Sequence, residues 1–306
     1  MGKGYLFTLL YFALCLTSFS QVQENRAPLV SRPFLLENSR VLKNIEYAQA
    51  EGIKLLLDLY LPDKGSGPFP LIVWIHGGGW RTGSKENCRP ALLLLPYGYA
   101  IASINYRLTG IASFPAQLED CKAAIRFLRA QAKNRNLEPE RIGVWGSSAG
   151  GHLSALLGTT GEIREFDRGG YPEFSSRVQA VCDYYGPTYL PEMPGRRFQP
   201  GESSPVSALI GGSLENFQEK AIKASPLIYV SSQSAPFFIV HGDRDTTVPV
   251  AQSEKLARAL EKAGVRVQLQ IIKDAGHGGP QFTRPELIRQ VASFFDQHLR
   301  PESSIK

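Results

Sequence analysis

The order of apolar and polar positions along the chain predicts strands that alternate with helices after an opening hairpin. Residues 41–49 and 53–61 are β-rich runs on either side of a Glu51-Gly52 turn, a pattern typical of a hairpin. Further runs are almost continuously apolar, as expected for strands of a parallel sheet that is covered on both faces. These runs are 71–75, 99–106, 141–145, 178–184, 237–240 and 265–272.

The segments between these runs have helical periodicity. In residues 117–132, for example, Leu118, Cys121 and Ile125 fall on one helical face. The other predicted helices are 87–95, 149–157, 214–224, 251–263 and 285–299, with Ser213 as the expected N-cap of the helix that begins at 214. The alternation predicts the α/β class, with a mostly parallel, doubly wound sheet, helices on both faces and antiparallel strands at its start.

One stretch breaks this alternation. Residues 187–212 are rich in Pro, Gly and Ser. Long irregular connections in compact domains tend to be lids or binding loops, so we expect a candidate lid or insertion within 187–225. The chain has no internal repeat, and a single domain is expected over 41–300 after an N-terminal tail over 21–40.

The first residues carry the pattern of a secretory signal peptide. Lys3 precedes an apolar run over 5–16, and small residues stand before Gln21. We expect residues 1–20 to be removed as a signal peptide and the protein to be secreted, to the outside of the cell or to a periplasm. An uncleaved N-terminal anchor is the alternative. The apolar run is short for a membrane span, so no stable membrane anchor is expected.

Composition and charge narrow the function classes. The 306 residues carry a net charge of +6, but the basic residues are scattered and only Arg196 and Arg197 form a close pair in a loop. A nucleic-acid partner is therefore not expected. Signal-peptide removal would leave Cys88, Cys121 and Cys182, for which buried free thiols are the default and one disulfide is the alternative. Their spacing is not that of a metal site, and neither a metal nor a cofactor is expected.

The strongest chemical motif is the G-x-S-x-G sequence at 146–150, which follows a predicted strand and opens a predicted helix. This strand–turn–helix setting is what a nucleophile motif of this kind requires. The nucleophile sits on a sharp turn, where side chains at Gly146 or Gly150 would collide with the adjacent strand and helix. The helix N-terminus behind Ser148 also favours developing negative charge. Ser148 is the candidate nucleophile, and a glycine-rich helix start without chemistry is the alternative that the setting disfavours.

The second motif is the glycine-rich loop at 76–79, which follows the predicted strand 71–75 and precedes Trp80. Glycine lets backbone N–H groups approach an oxyanion closely, and H-G-G-G matches the oxyanion loop of lipases and esterases. A phosphate cradle is the alternative, but no G-K-[ST] sequence follows. Trp80 is a candidate substrate-binding residue that could flank a sugar or phenolic ring, and packing beneath the loop is an equal alternative.

A general base is expected from the loop after the last predicted strand, where His277 stands among glycines. His152 lies in the first turn of the helix that follows the nucleophile motif. The helix dipole there disfavours the imidazolium that a base must become, so His152 is expected to satisfy a local hydrogen bond instead. His76 and His241 belong to loop motifs, and His298 is expected to face solvent near the end of the last helix.

The acid that orients the base could be Asp243, Asp245 or Asp274 on the residues alone. The first two follow strand 237–240 within HGDRDTTVP, and Asp243 also suits an Asx-type turn. Asp274 stands very close to the candidate base in sequence. The chain order Ser…Asp…His agrees with the order found in the hydrolase fold.

Together these motifs resemble the esterase and lipase superfamily of α/β hydrolases, in particular the group typified by bifunctional feruloyl and acetyl-xylan esterases. The resemblance runs from about the first hairpin to the last helix. It is carried by IHGGGW (75–80), SINYRL (103–108), FPAQLEDCKAAIRFLR (114–129), GVWGSSAGGHLSAL (143–156), YYGP (184–187), HGDRDTTVP (241–249) and GHG (276–278).

The resemblance implies an α/β-hydrolase catalytic domain over 41–300. It implies a triad of Ser148, Asp245 and His277, because the HGxxDxxVP carboxylate is the triad acid in that family. It places the N–H groups of the oxyanion hole at Gly78, Gly79 and Ala149.

The implied function is that of a secreted serine carboxylic ester hydrolase that removes acetyl or feruloyl groups from plant cell-wall polysaccharide. A broad-range short-chain carboxylesterase and a prolyl-type serine peptidase are alternatives, since such peptidases share the HGxxDxxVP sequence. A catalytically silent binding protein on the same fold is disfavoured, because every triad and oxyanion position holds a competent residue. Fold analogy alone does not decide the substrate.

Overall fold

The computed structural model describes Met1, residues 40–193 and residues 204–300. The predicted signal peptide, almost all of the N-terminal tail, the Arg196–Arg197 pair and the centre of the candidate lid lie outside the described residues. Within them, the chain forms one mixed sheet with helices on both of its faces.

The sheet has its antiparallel part at the start of the chain. Its strands are β1 (Arg40–Ala50), β2 (Ile53–Leu61), β3 (Phe69–Ile75), β4 (Ala100–Ile104), β5 (Leu137–Ser147), β6 (Ala180–Tyr184), β7 (Phe237–Gly242) and β8 (Val267–Ile272). The order across the sheet is β1-β2-β4-β3-β5-β6-β7-β8. The two pairings that involve β2 are antiparallel, and all pairings from β4 to β8 are parallel. The predicted hairpin and the mostly parallel sheet are confirmed.

The helices of the described residues follow the strands. They are α1 (Arg89–Leu92), α2 (Ala116–Ala130), α3 (Ala149–Thr159), α4 (Pro205–Ile210), α5 (Gln218–Lys223), α6 (Ala251–Lys262) and α7 (Pro285–Leu299). Short 3-10 turns lie at Leu95–Tyr97, Lys133–Arg135, Arg164–Phe166, Leu190–Glu192, Pro226–Tyr229 and Pro280–Thr283.

Alternate residues of the central strands face opposite layers of helices. On β3, Leu71, Val73 and Ile75 pack with α2, α3 and α6, whereas Ile72 and Trp74 pack with α1 and α7. Both faces are therefore buried, which explains why these strands are apolar at almost every position. The loops at the carboxyl ends of the parallel strands are left to form a site.

The segment around the candidate lid differs from its prediction in two places. Residues 204–210 are not irregular, because Ser204 accepts the N-cap hydrogen bond from the Ser207 N–H and starts α4. The helix predicted from residue 214 begins only at Gln218. The N–H groups of Asn216 and Phe217 donate to the Ser213 carbonyl in a turn, so Ser213 is not a helix N-cap.

The helix predicted over 87–95 is also shorter than expected. It is divided into α1 and the 3-10 turn Leu95–Tyr97. Pro96 has no N–H to donate to a carbonyl one turn earlier, so the α-helical hydrogen-bond ladder cannot continue through it. The three cysteines of the described chain, Cys88, Cys121 and Cys182, are free and buried, as the default expectation had it.

Candidate active site

The sheet changes direction of winding at β3, whose neighbours β4 and β5 lie on opposite sides of it. In open α/β sheets, ligands bind beyond the carboxyl ends of the strands at such a switch point. The two strongest sequence motifs follow β3 and β5, and the parallel register sets Ile75 opposite Gly146. The fold therefore brings the glycine-rich loop and the candidate nucleophile to one place.

Ser148 occupies a strained turn between β5 and α3. Its φ of 55° and ψ of −119° are rare for a residue with a side chain. The turn is tight because its glycines touch backbone: a Cβ on Gly150 would lie 2.0 Å from the Ile75 carbonyl oxygen, and one on Gly146 would lie 2.2 Å from the Gly150 oxygen. The predicted need for small neighbours thus has a direct steric cause, and the Ser148 side chain is left partly exposed.

His277 links the candidate nucleophile to a carboxylate. Its Nε2 lies 2.8 Å from Ser148 Oγ, and its Nδ1 lies 2.6 Å from Asp245 Oδ2. The imidazole comes from the loop after β8 and is 21% exposed, so a substrate and water can reach it. The three side chains form one continuous hydrogen-bonded chain from the surface to a buried acid.

Asp245 is held as a carboxylate by the donors around it. Burial works to raise its pKa, but hydrogen bonds from His241, from His277 and from the Val248 N–H outweigh burial and lower that pKa well below its usual range. Its Oδ1 also accepts from the Thr247 N–H at 2.7 Å. A carboxylate that stays ionised at neutral pH can stabilise a protonated imidazole beside it.

The competing carboxylates are placed elsewhere. Asp243 is exposed, and Asp274 is half exposed and forms an ion pair with Arg244. Of the three candidates that the sequence left open, Asp245 is the one that the structure brings to the imidazole of His277.

Two of the competing histidines, His152 and His76, are buried and pack inside the protein. His152 is fully buried, its Nε2 contacts the Ala224 carbonyl oxygen at 2.6 Å, and burial lowers its pKa to about 4. His76 stacks on Tyr106 with ring centroids 4.4 Å apart and bonds the Gly77 carbonyl through Nδ1. Burial lowers the pKa of His76 as well. Both rings therefore resist the protonation that a general base requires.

The glycine-rich loop curls beside the nucleophile. A Cβ on Gly77 would lie 2.8 Å from the Ser147 carbonyl oxygen and 3.4 Å from Ser148 Cβ. Gly78 has a φ of 114°, and its carbonyl accepts from the N–H groups three and four residues further on, at residues 81 and 82. Among the described residues, no backbone carbonyl accepts from the N–H of Gly78 or Gly79. These N–H groups are available to a ligand.

Ala149 adds a further N–H group. It is the first residue of α3, where backbone N–H groups have no partner within the helix. The helix dipole adds partial positive charge at the same point. The loop and the helix end together offer donors next to Ser148 Oγ.

Trp80 lies in the interior rather than on the surface. It is 3% exposed, and its ring meets the ring of His152 at a centroid distance of 5.0 Å. This burial agrees with the alternative that Trp80 packs beneath the glycine loop. A contact between its ring and a substrate stays a prediction.

Two residues near the site were not predicted from the sequence to act there. Tyr185 has a φ of 46°, and its ring packs edge-on against His277 with centroids 4.8 Å apart. Burial raises the pKa of Tyr185 to about 12. His241 Nε2 lies 3.2 Å from Asp245 Oδ2, the oxygen that His277 also contacts. The signal for Tyr185 was its place directly after β6, since the ends of neighbouring parallel strands meet at one edge.

The described residues form neither a metal-binding cluster nor a membrane-spanning helix. Within the described ranges, no group of three or more His, Cys, Asp or Glu side chains is arranged to hold a metal ion. None of the helices in the part of the chain that the structure describes has the length and apolar character to span a membrane.

The sheet order and the hydrogen-bonded chain of Ser148, His277 and Asp245 define a protein of the α/β-hydrolase fold class. The chain belongs to the BD-FAE family, whose model matches residues 57–260. Among curated relatives, the probable carboxylic ester hydrolase LipM of Mycobacterium tuberculosis is 30% identical over 211 residues, which cover 64% of this chain and 46% of LipM. This chain spans about half the length of the curated relatives it matches first.

The solved structures that are similar over most of the chain include two hydrolases. A truncated carbohydrate esterase from gut microbiota has a TM-score of 0.78 and 31% identity, and the match covers 85% of this chain and 96% of that one. The acetyl ester-xyloside bifunctional hydrolase from Caldicellulosiruptor lactoaceticus has a TM-score of 0.70 and 28% identity, over 83% of this chain and 95% of that one.

Proposed function

We propose that this protein is a serine ester hydrolase in which Ser148 is the nucleophile, His277 the general base and Asp245 the acid that orients the base. The observation that carries the proposal is the hydrogen-bonded chain of these side chains, with separations of 2.8 Å and 2.6 Å. Both lie in the range that proton transfer between positioned groups needs. The strained turn under Ser148 supports the same role, because strain of this kind persists where surrounding structure holds a reactive group in place.

In the first half of the reaction, the ester carbonyl lies between Ser148 Oγ and the glycine loop. His277 Nε2 takes the hydroxyl proton as Oγ attacks the carbonyl carbon. The N–H groups of Gly78, Gly79 and Ala149 donate to the oxyanion that forms. His277 then gives its proton to the leaving alcohol oxygen as the ester C–O bond breaks, which leaves Ser148 acylated.

In the second half, water takes the place of the alcohol. His277 removes a proton from the water, whose oxygen attacks the acyl carbon of the modified serine. The same N–H groups stabilise the second oxyanion, and Ser148 leaves with the proton held by His277. Asp245 remains ionised throughout and stabilises each imidazolium that forms, which its lowered pKa permits.

For the substrate, we infer a carbohydrate-linked ester that carries an acetyl or feruloyl group. The names of the two similar structures support this class, since one is a carbohydrate esterase and the other an acetyl ester-xyloside hydrolase. A signal peptide over residues 1–20 would bring the enzyme to polysaccharides that are too large to enter a cell. Secretion is thus part of the same proposal.

The candidate lid supports a short or aromatic acyl group. Hydrolases of long fatty esters need a broad apolar channel, whereas the lid sequence is interrupted by prolines and by charged residues. In α4, Val206, Leu209 and Ile210 are already buried in the core, so the apolar side of that helix is not free to cover a fatty chain. Little continuous apolar surface is left for a long acyl group.

The deciding experiment compares the wild-type protein with Ser148→Ala and with Ser232→Ala, an exposed serine away from the site. Nitrophenyl acetate, acetylated xylan and methyl ferulate are the substrates, and a fluorophosphonate probe with mass spectrometry reports the reactive serine. Ser148→Ala is expected to lose about 10⁵–10⁶-fold in kcat and all labelling, because the nucleophile is gone. Ser232→Ala should match the wild type. Near-normal turnover by a folded Ser148→Ala variant would rule out this mechanism.

A further inference from the structure

A second histidine lies against the proposed triad acid, and the mechanism above does not use it. His241, in β7, is fully buried. Its Nε2 lies 3.2 Å from Asp245 Oδ2, the oxygen that His277 contacts, and 2.9 Å from the Val248 carbonyl oxygen. Its Nδ1 lies 2.7 Å from Ser253 Oγ in α6.

These neighbours determine which ring nitrogen of His241 carries a proton. The groups around Nε2 are acceptors, so Nε2 carries the hydrogen. It donates to the Val248 carbonyl and makes a second, longer contact with Asp245 Oδ2. The Ser253 hydroxyl can satisfy Nδ1 as a donor or as an acceptor. The ring therefore ties together β7, the loop that carries Asp245 and the first turn of α6.

The carboxylate of Asp245 is restrained on every side by this arrangement. Its Oδ1 accepts from the N–H groups of Thr247 at 2.7 Å and Val248 at 2.9 Å. Its Oδ2 lies between the two imidazoles of His241 and His277. Without His241, that oxygen would keep one partner among these groups, and the Val248 carbonyl would lose the donor that fixes the turn.

We propose that His241 is a positioning residue, which holds Asp245 Oδ2 in place and shares its charge, and thereby sets the orientation and the basicity of His277. This inference rests on the proposed function. The other ionisable groups that face His241 are Asp183 from β6 and the ring of Tyr185, whose centroid lies 6.4 Å away.

Two consequences follow if the Nε2 donor is removed. The carboxylate loses a restraint, so kcat falls by about 10–100-fold, the size of effect that small misplacements of catalytic groups produce. More negative charge remains on the Oδ2 that faces His277, which favours its imidazolium. The acid limb of the kcat/KM profile, which reports protonation of the base, then moves to higher pH. KM changes little, because the buried ring does not reach the ester.

The test uses the full-length protein with His241→Ala, His241→Gln and Ser253→Ala, and with His298→Ala as the matched control. The amide nitrogen of Gln can stand near the place of Nε2, so His241→Gln should recover part of kcat and return the acid limb toward the wild type. Ser253→Ala should have a weaker effect in the same direction as His241→Ala. His298 packs on Phe294 at the far end of α7, so its variant should match the wild type.

A second readout does not depend on turnover. The ring protons of His277 are followed by NMR over a pH series, with His277→Gln used for assignment, in the wild type and in the His241 variants. A higher titration midpoint in His241→Ala than in His241→Gln would support the proposal. If the wild type hydrolyses no ester, the proposed function fails, and this titration still decides the role of His241.

The result that overturns the inference is an acid limb and a His277 titration that are unchanged in folded His241→Ala and His241→Gln. A fall in kcat of equal size in both, without any change in pH dependence, would show a structural role and would overturn it as well. If His241→Ala does not fold, His241→Gln and Ser253→Ala carry the same comparison, and unchanged titrations in both count against the proposal.

Discussion

Asp183, which lies against Gly151 at the start of α3, offers a test of the energetics beside the proposed site. Its side chain is fully buried at the end of β6, where Oδ1 accepts from the Gly186 N–H at 2.9 Å. Among the described residues, Oδ2 has no hydrogen-bond partner. Burial raises the pKa of Asp183 from 3.8 to about 6, against the opposing effects of the Gly186 N–H and of the charge of His241.

The raised pKa makes stability depend on pH in a defined interval. Between 3.8 and about 6, the folded protein holds a proton on Asp183 that the unfolded chain has lost. Stability therefore falls by about 1.4 kcal/mol for each pH unit as the pH rises through this interval. The total loss is about 3 kcal/mol, and the contribution is constant above the interval because both states are then ionised. Asp183→Asn removes the titrating group.

Urea unfolding of the wild type and Asp183→Asn, at several pH values on both sides of the interval, measures this contribution. The free energy of unfolding of the variant should rise relative to the wild type by about 3 kcal/mol across the interval and then stay level. The new amide lacks a partner and costs about 1–3 kcal/mol, but this cost is the same at every pH. Exposed Asp63→Asn is the control. Parallel stability curves for Asp183→Asn and the wild type would refute the reasoning.

Two further outcomes test the site itself. Asp245→Asn is expected to lower kcat by about 10⁴-fold, because the imidazole tautomer is no longer fixed, whereas exposed Asp243→Asn should change it little. Steady-state kinetics that rank these two variants in reverse would mean that the wrong carboxylate was chosen. Nitrophenyl acetate and butyrate should have a higher kcat/KM than nitrophenyl palmitate, because the described lid offers little apolar surface. Palmitate as the best substrate would contradict that reading of the lid.

The parts of the site that the sequence predicted are those encoded by a few adjacent residues. The turn at 146–150 and the loop at 76–79 are short, glycine-containing motifs, and each stands at the end of a strand. A glycine that must touch backbone, such as Gly150 against Ile75, leaves a local signal even when its partner is distant in sequence. The fold was predictable for a similar reason, since strands buried on both faces are apolar throughout.

The parts that could not be predicted depend on contacts between distant segments. Nothing in the residues around His241 shows that its ring meets Ser253 in the next helix, or that Asp183 ends in a pocket without a donor for one oxygen. The start of α5 was misplaced because Ser213 closes a turn, and a turn and a helix N-cap share the same residue preference. By contrast, α4 was missed although its Ser-Pro start and the glycine at its end are ordinary local signals.

The proposed catalytic groups and the candidate lid lie on different loops. The proposed nucleophile, base, acid and oxyanion donors follow β5, β8, β7 and β3, so the sheet fixes their separations through its register. The candidate lid instead follows β6 and supplies none of these groups. Changes in the lid can therefore alter acyl or sugar preference while the hydrogen-bonded chain at Ser148 stays intact. It follows that the proposed mechanism and the proposed substrate can fail separately: a loss of labelling in Ser148→Ala supports the first whatever ester proves to be the best substrate.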